Sequence, residues 1–301
     1  MKATLQDLLA AGGPILADGA MGTLLTAQGL PAGSPPPLWN VERPEAVRAV
    51  HRAYIEAGSQ IILTNSFVAS RVLLGRYGLG ERAAELNEAA ARLARAEADA
   101  ADRPVVVAGS IGPTGEMLEP LGTLSFEDAK AAFAEQAGAL AAGAPATGGV
   151  DVFWIETMSD LEEVRAAVEG CRQAAPGLPL VTTMTFDTGG RTMMGVTPER
   201  ALETMSGLGA MALGANCGNG PDEIEDVIRK MHAANPGATL VAKANAGRPR
   251  LENGVAVFDA TPPVMAGYAA RMRALGATII GGCCGNTPDH IRAMARALRE
   301  G

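Results

Sequence analysis

Short apolar runs that end in small polar residues recur along the chain at residues 15–18, 60–65, 105–110, 151–157, 180–187, 210–217, 239–245 and 277–283. Most are continuous rather than alternating, the pattern of strands buried on both faces. A helical segment follows each run. Start signals are Pro44-Glu45 ahead of residues 46–57, Ser125 with Asp128 ahead of 129–142, and Ser159 with Glu162 ahead of 164–175. Further on, Thr197-Pro198-Glu199, Pro221-Asp222-Glu223, Thr261-Pro262 and Thr287-Pro288-Asp289 each place an N-cap or a proline in a first turn. Eight alternating pairs with no dividing linker predict an α/β fold, a single (β/α)8 TIM barrel that occupies residues 1–301 as one domain.

In such a barrel the chemistry sits at the carboxyl ends of the strands. That rule selects Asp18, Asn65, Ser110, Glu156, Asp187, Cys217, Asn245, Cys283 and Cys284. The proline-rich stretch 28–37 is too long for a simple connector and is expected over the mouth.

Composition narrows the partners. With 48% hydrophobic and 19% charged residues the chain is globular. A net charge of −8 without a basic stripe argues against nucleic acid. No apolar stretch approaches the roughly 18–20 residues of a membrane span, and the Ala- and Gly-rich segments 89–101 and 137–149 carry charges or glycines. Asp7 and Pro14 interrupt what could pass for a signal-peptide core, and four cysteines make no disulfide framework. A cytoplasmic, reducing setting is expected. A homo-oligomer stays open, because exposed faces of barrel helices often carry dimer contacts.

The cysteines change the picture most. Cys283 and Cys284 stand in Gly281-Gly282-Cys283-Cys284-Gly285, and Cys217 closes Gly214-Ala215-Asn216-Cys217. Neighbouring residues within a strand face opposite ways, so an adjacent pair can aim both sulfurs at one point only where the ladder ends. Three soft ligands suit Zn²⁺ and leave a fourth position open. Three thiolates on a divalent ion leave a charge of about −1, which favours alkylation of a bound substrate thiol over hydrolysis. Cys171 falls in a helix and reads as packing, and His51, His232 and His290 are all helical without ligand spacing.

Asp18 and Glu156 are suited to a cationic amino group, or to structural bonds with nearby amides. The backbone of Gly19 to Gly22 is suited to a carboxylate. Together they outline an amino-acid-shaped pocket. Asn65 and Ser110 either reach into it or satisfy loop backbone.

Six segments carry a resemblance: Asp18-Gly19-Ala20-Met21-Gly22-Thr23, residues 57–67, Ala108-Gly109-Ser110-Ile111-Gly112-Pro113, Ile155-Glu156-Thr157, Ala215-Asn216-Cys217-Gly218 and Gly281-Gly282-Cys283-Cys284-Gly285. In that order they resemble the zinc-dependent homocysteine S-methyltransferases over nearly the whole chain. The resemblance implies Zn²⁺ on Cys217, Cys283 and Cys284, the homocysteine amino group on Asp18 and Glu156, and its carboxylate on amides around Gly19 and Met21. Asn245 is similar to the asparagine that occupies zinc in cobalamin-type members when homocysteine is absent. Trp39 sits where betaine-type members place a tryptophan beside the quaternary ammonium, whereas Val68 replaces a tyrosine of the animal enzymes. Leu38-Trp39-Asn40 and Phe186-Asp187-Thr188 resemble bacterial betaine enzymes, so betaine is the favoured methyl donor. S-methylmethionine is an alternative, as is methylcobalamin, which would arrive on a separate corrinoid protein. A non-catalytic zinc-binding module is the reading from another class.

Overall fold

A computed structural model describes residues 3–142, 148–252 and 255–300. Its strands are β1 (Ile15–Leu16), β2 (Ile61–Leu63), β3 (Val106–Ile111), β4 (Val152–Met158), β5 (Leu180–Met184), β6 (Ala212–Cys217), β7 (Leu240–Ala244), β8 (Arg250–Glu252), β9 (Val255–Val257) and β10 (Ala277–Gly282). Eight form one parallel sheet in the order β1-β10-β7-β6-β5-β4-β3-β2. A bridge between Ala17 and Ile61, with Gln60 N–H donating to Leu16 O at 2.7 Å, joins the two outer strands. The expected (β/α)8 TIM barrel is the fold. Each barrel strand overlaps its predicted run, β3 and β4 extending one residue past it to Ile111 and Met158; the fifth ladder stops at Met184, short of Asp187.

Alternation along the strands builds two cores. Ile15, Ile61, Val106, Val152, Val181, Ala212, Val241 and Ile279 face the barrel interior in one cluster. Leu16, Ile62, Val107, Phe153 and Ile280 face outward into a larger cluster with the helices. The helix Leu5–Ala10, which no sequence signal singled out, adds Leu5 to the interior cluster.

The helices follow their stop and start signals. Pro44–Ala57 buries Val47, Val50, His51, Tyr54 and Ile55, a three-and-four spacing that lays one stripe on the sheet, and it ends at left-handed Gly58. Ser125 caps Phe126–Ala141 and Thr197 caps Pro198–Gly207. The cap of Leu161–Ala174 is Asp160 rather than Ser159, its carboxylate accepting from Glu162 N. The antiparallel pair β8 and β9 was not foreseen, because its first strand is fully exposed and shows no burial pattern. Of the Ala- and Gly-rich stretch 137–149, residues 143–147 lie outside the described part. No described helix is long and apolar enough to cross a membrane.

Candidate metal centre and acceptor pocket

The cysteines converge because two ladders end in abrupt turns. β6 closes on Cys217, which holds a left-handed φ of 62°, uncommon for a residue with a Cβ. β10 stops at Gly282, so Cys283 and Cys284 lie beyond the ladder, and Gly285 (φ 78°) reverses the chain. A Cβ on Gly285 would stand 2.4 Å from the Phe258 ring, so glycine is required there twice over. Asn286 pins the turn: its side chain donates to Ala244 O, and its carbonyl accepts from Tyr54 Oη at 2.7 Å and from Ala20 N.

The three Sγ atoms lie within 4.8 Å of one another, all as free thiols, with Cys217 and Cys283 2.7 Å apart. Hydrogen bonds from Cys217 and then Cys283 hold Cys284 well below the ordinary thiol range, while Cys217 is pushed far above it. Among the described residues no histidine, carboxylate or fourth cysteine joins this group. Asn245 stands beside it: Nδ2 donates to Gly218 O at 2.7 Å, and buried Oδ1 has no partner. Three soft donors plus an orphaned oxygen suit a thiophilic divalent ion.

A cavity of about 190 Å³ opens against these sulfurs. The turn Asp18 to Thr23 forms one wall, and Ser110, Glu156 and Lys243 form another. Ala20 N–H is taken by Asn286 O, which leaves the amides of Gly19 and Met21 flanking it. Gly19 has no room for a side chain, since a Cβ would stand 2.6 Å from Asn286 O.

The two predicted carboxylates are both buried but differ in company. Asp18 accepts on both oxygens, Oδ2 from Leu63 N–H at 2.7 Å and Oδ1 from Lys243 Nζ at 2.9 Å. Burial pushes its carboxyl up, with Lys243 opposing. Glu156 Oε1 accepts from Ser110 Oγ. Burial raises Glu156 to about 7, Lys243 pulling down and Cys283 pushing up.

Lys243 escaped the sequence reading. It shares strand parity with inward-facing Val241, so its ammonium sits inside the barrel, 2% exposed and 5.3 Å from the Trp154 ring centroid. The signal was a lysine inside an otherwise apolar run. Asn216 was also missed: it accepts from Thr157 N and Thr183 Oγ1, tying β4, β5 and β6 together below Cys217.

The other predicted residues divide. Asn65 borders the cavity, but its amide donates to Pro36 O and Asn40 Oδ1, which fastens the proline-rich segment at the mouth. Trp39 does not border it: the indole packs in the outer core, with the Arg43 guanidinium 4.7 Å over its ring. The ring expected to stand beside a donor cation thus already has a cation of the protein over it. Asp187 also lies away from the cavity, and its carboxylate accepts from Thr188.

Methionine synthases of Mycobacterium tuberculosis and Mycobacterium leprae are each 33% identical to the chain over 302 aligned residues, covering 94% of it. The chain spans only 24% of the length of either. The metallated form of the Escherichia coli homocysteine methyltransferase MmuM superposes with a TM-score of 0.80 at 27% identity, over 97% of this chain and 99% of that one. A methyltransferase from Methanosarcina mazei, at 13% identity and a TM-score of 0.62, shares the fold. The sequence model of the homocysteine S-methyltransferases matches residues 15–298, from the first barrel strand into the last helix, and the chain belongs to that family.

Proposed function

We propose that the protein transfers a methyl group to the sulfur of L-homocysteine, giving methionine, with Cys217, Cys283 and Cys284 holding Zn²⁺. The observation that carries this reading is the convergence of three cysteine sulfurs on a cavity whose other walls offer a carboxylate and main-chain amides. The likeness to the metallated E. coli homocysteine methyltransferase supports it. Zinc, when bound, would supply the Lewis acidity that removes the acceptor thiol's proton and keeps its sulfur nucleophilic.

The chain orients the rest of the amino acid. Glu156 offers a buried carboxylate to the ammonium, and the amides of Gly19 and Met21 offer donors to the carboxylate. Held at both charges, the thiol-bearing side chain runs toward the cysteines. Displacement in line then forms the S–CH₃ bond as the donor's bond to that methyl breaks, the electron pair leaving with the donor. Alignment of the two reactants is a large share of the rate gain available.

As donor we propose betaine, on the Leu38-Trp39-Asn40 and Phe186-Asp187-Thr188 segments. Phe67, which borders the cavity and is 37% exposed, gives its trimethylammonium an aromatic face in place of Trp39. The test is methionine formation by zinc-loaded protein from homocysteine with betaine, S-methylmethionine or methylcobalamin, each in turn. Product with betaine is expected. Product only with another donor moves the assignment to that donor, and product with none leaves a non-catalytic zinc-binding module.

A further inference from the structure

Two buried acids border one cavity, yet they are not equivalent. Both oxygens of Asp18 are engaged inside the protein, one by the Leu63 amide and one by the Lys243 ammonium. That ion pair is sealed, its side chains 3% and 2% exposed. Glu156 has one neutral donor, the Ser110 hydroxyl, and among the described residues no donor engages its second oxygen. We propose that Lys243 is a positioning residue that reserves Asp18 for the protein, so that Glu156 alone holds the α-ammonium of the acceptor amino acid. This rests on the homocysteine reading and departs from what the resemblance implies, in which both acids share the ammonium.

The physical reason is the fate of Lys243. A substrate ammonium bound at Asp18 would displace a lysine that, among the described residues, has no other carboxylate in hydrogen-bonding contact, leaving a buried cation with Glu156 acting on it only through space. Bound at Glu156, the same ammonium meets a buried carboxylate whose hydrogen-bond donor is the neutral Ser110 hydroxyl, with Lys243 acting on it through space rather than by a hydrogen bond. Lys243 meanwhile ties the end of β1 to β7 across the intervening β10, which keeps the Asp18 to Thr23 turn in place.

The test compares two ligands on the zinc-loaded protein by calorimetry: L-homocysteine and 4-mercaptobutyrate, which keeps thiol and carboxylate but lacks the amino group. The wild type should prefer homocysteine by about 10- to 100-fold, the range of a hydrogen bond to a charged group. Glu156→Gln should shrink that ratio to within about threefold of unity. The neutral double variant Asp18→Asn with Lys243→Met should weaken both ligands together and leave the ratio within about threefold of wild type. A ratio that collapses in the double variant, or survives in Glu156→Gln, overturns the proposal. Should the double variant fail to fold, Lys243→Gln decides: freeing Asp18 should raise the ratio, and a ratio unchanged or lowered overturns it. Wild-type protein that binds neither thiol refutes the homocysteine reading itself, an outcome distinct from a collapse seen only in the variants.

Discussion

The barrel carries a similar device at each end, and the upper copy borders the acceptor cavity. At the amino end of β4, Asp151 accepts from Val107 N–H of the neighbouring strand and pairs with Arg95 from the helix Ala83–Ala100. At the carboxyl end of β1, Asp18 accepts from Leu63 N–H of the neighbouring strand and pairs with Lys243. Both pairs are almost fully buried, so both carry a desolvation cost that only complete hydrogen bonding offsets. The lower pair closes on itself, with Arg95 also donating to Gly149 O, and joins a helix to a strand. The upper pair borders the space where an amino acid is to bind. A buried acid paired with a cation therefore closes a structural joint at one end and, on the inference proposed above, governs ligand choice at the other, the division expected between the two faces of such a barrel.

Removing a thiol should separate the ends most sharply. Cys283→Ser should cut zinc content and methyl transfer by more than the roughly 100-fold typical of losing only an outer partner of a metal ligand. The metal-free forms of variant and wild type should unfold alike, since the interior cluster below the mouth is untouched. Metal analysis with thermal denaturation reads both, and an unfolded metal-free variant would show that the mouth also holds the fold. Arg95→Met inverts the pattern. Leaving Asp151 buried without its cation should cost about 3–5 kcal/mol of stability in denaturant titration, with methyl transfer per folded molecule unchanged. A selective loss of homocysteine affinity in that variant would end the separation.

These two sites differ in how far they could be read from sequence. Cys217, Cys283 and Cys284 were legible because glycines mark where ladders stop, and only there can adjacent cysteines converge. The strands were legible as apolar runs, and Asp18 and Glu156 as acids at their ends. Lys243 was not, because one lysine in an apolar run looks the same whether it faces inward or outward. Its partner lies 225 residues away, brought across by the pairing of β1 with β10 and of β10 with β7. The direction of the Trp39 ring was not legible for a related reason: the residue opens the short helix Trp39–Glu42, fastened by the bonds of Asn65 to Pro36 O and Asn40 Oδ1, and its ring lies in the outer core. β8 is exposed at every residue and leaves no burial pattern.

The smallest effect probes the upper site alone. Glu156 titrates near 7 because burial disfavours its charge, while the Ser110 hydroxyl favours the charged form. Only ionised Glu156 can hold an ammonium, so the homocysteine over 4-mercaptobutyrate preference should decline as pH falls below about 7. Taking the ratio cancels the protonation of the thiol, which both ligands share. In Ser110→Ala the carboxylate loses its donor, its pKa rises further, and the decline should begin about one pH unit higher. Arg95→Met should leave the curve in place, because the lower ion pair shares no contact with Glu156. A Ser110→Ala curve that does not move, or moves to lower pH, would mean that the group governing ammonium binding is not the one bonded to Ser110, and the contrast between the two ends would lose its upper half.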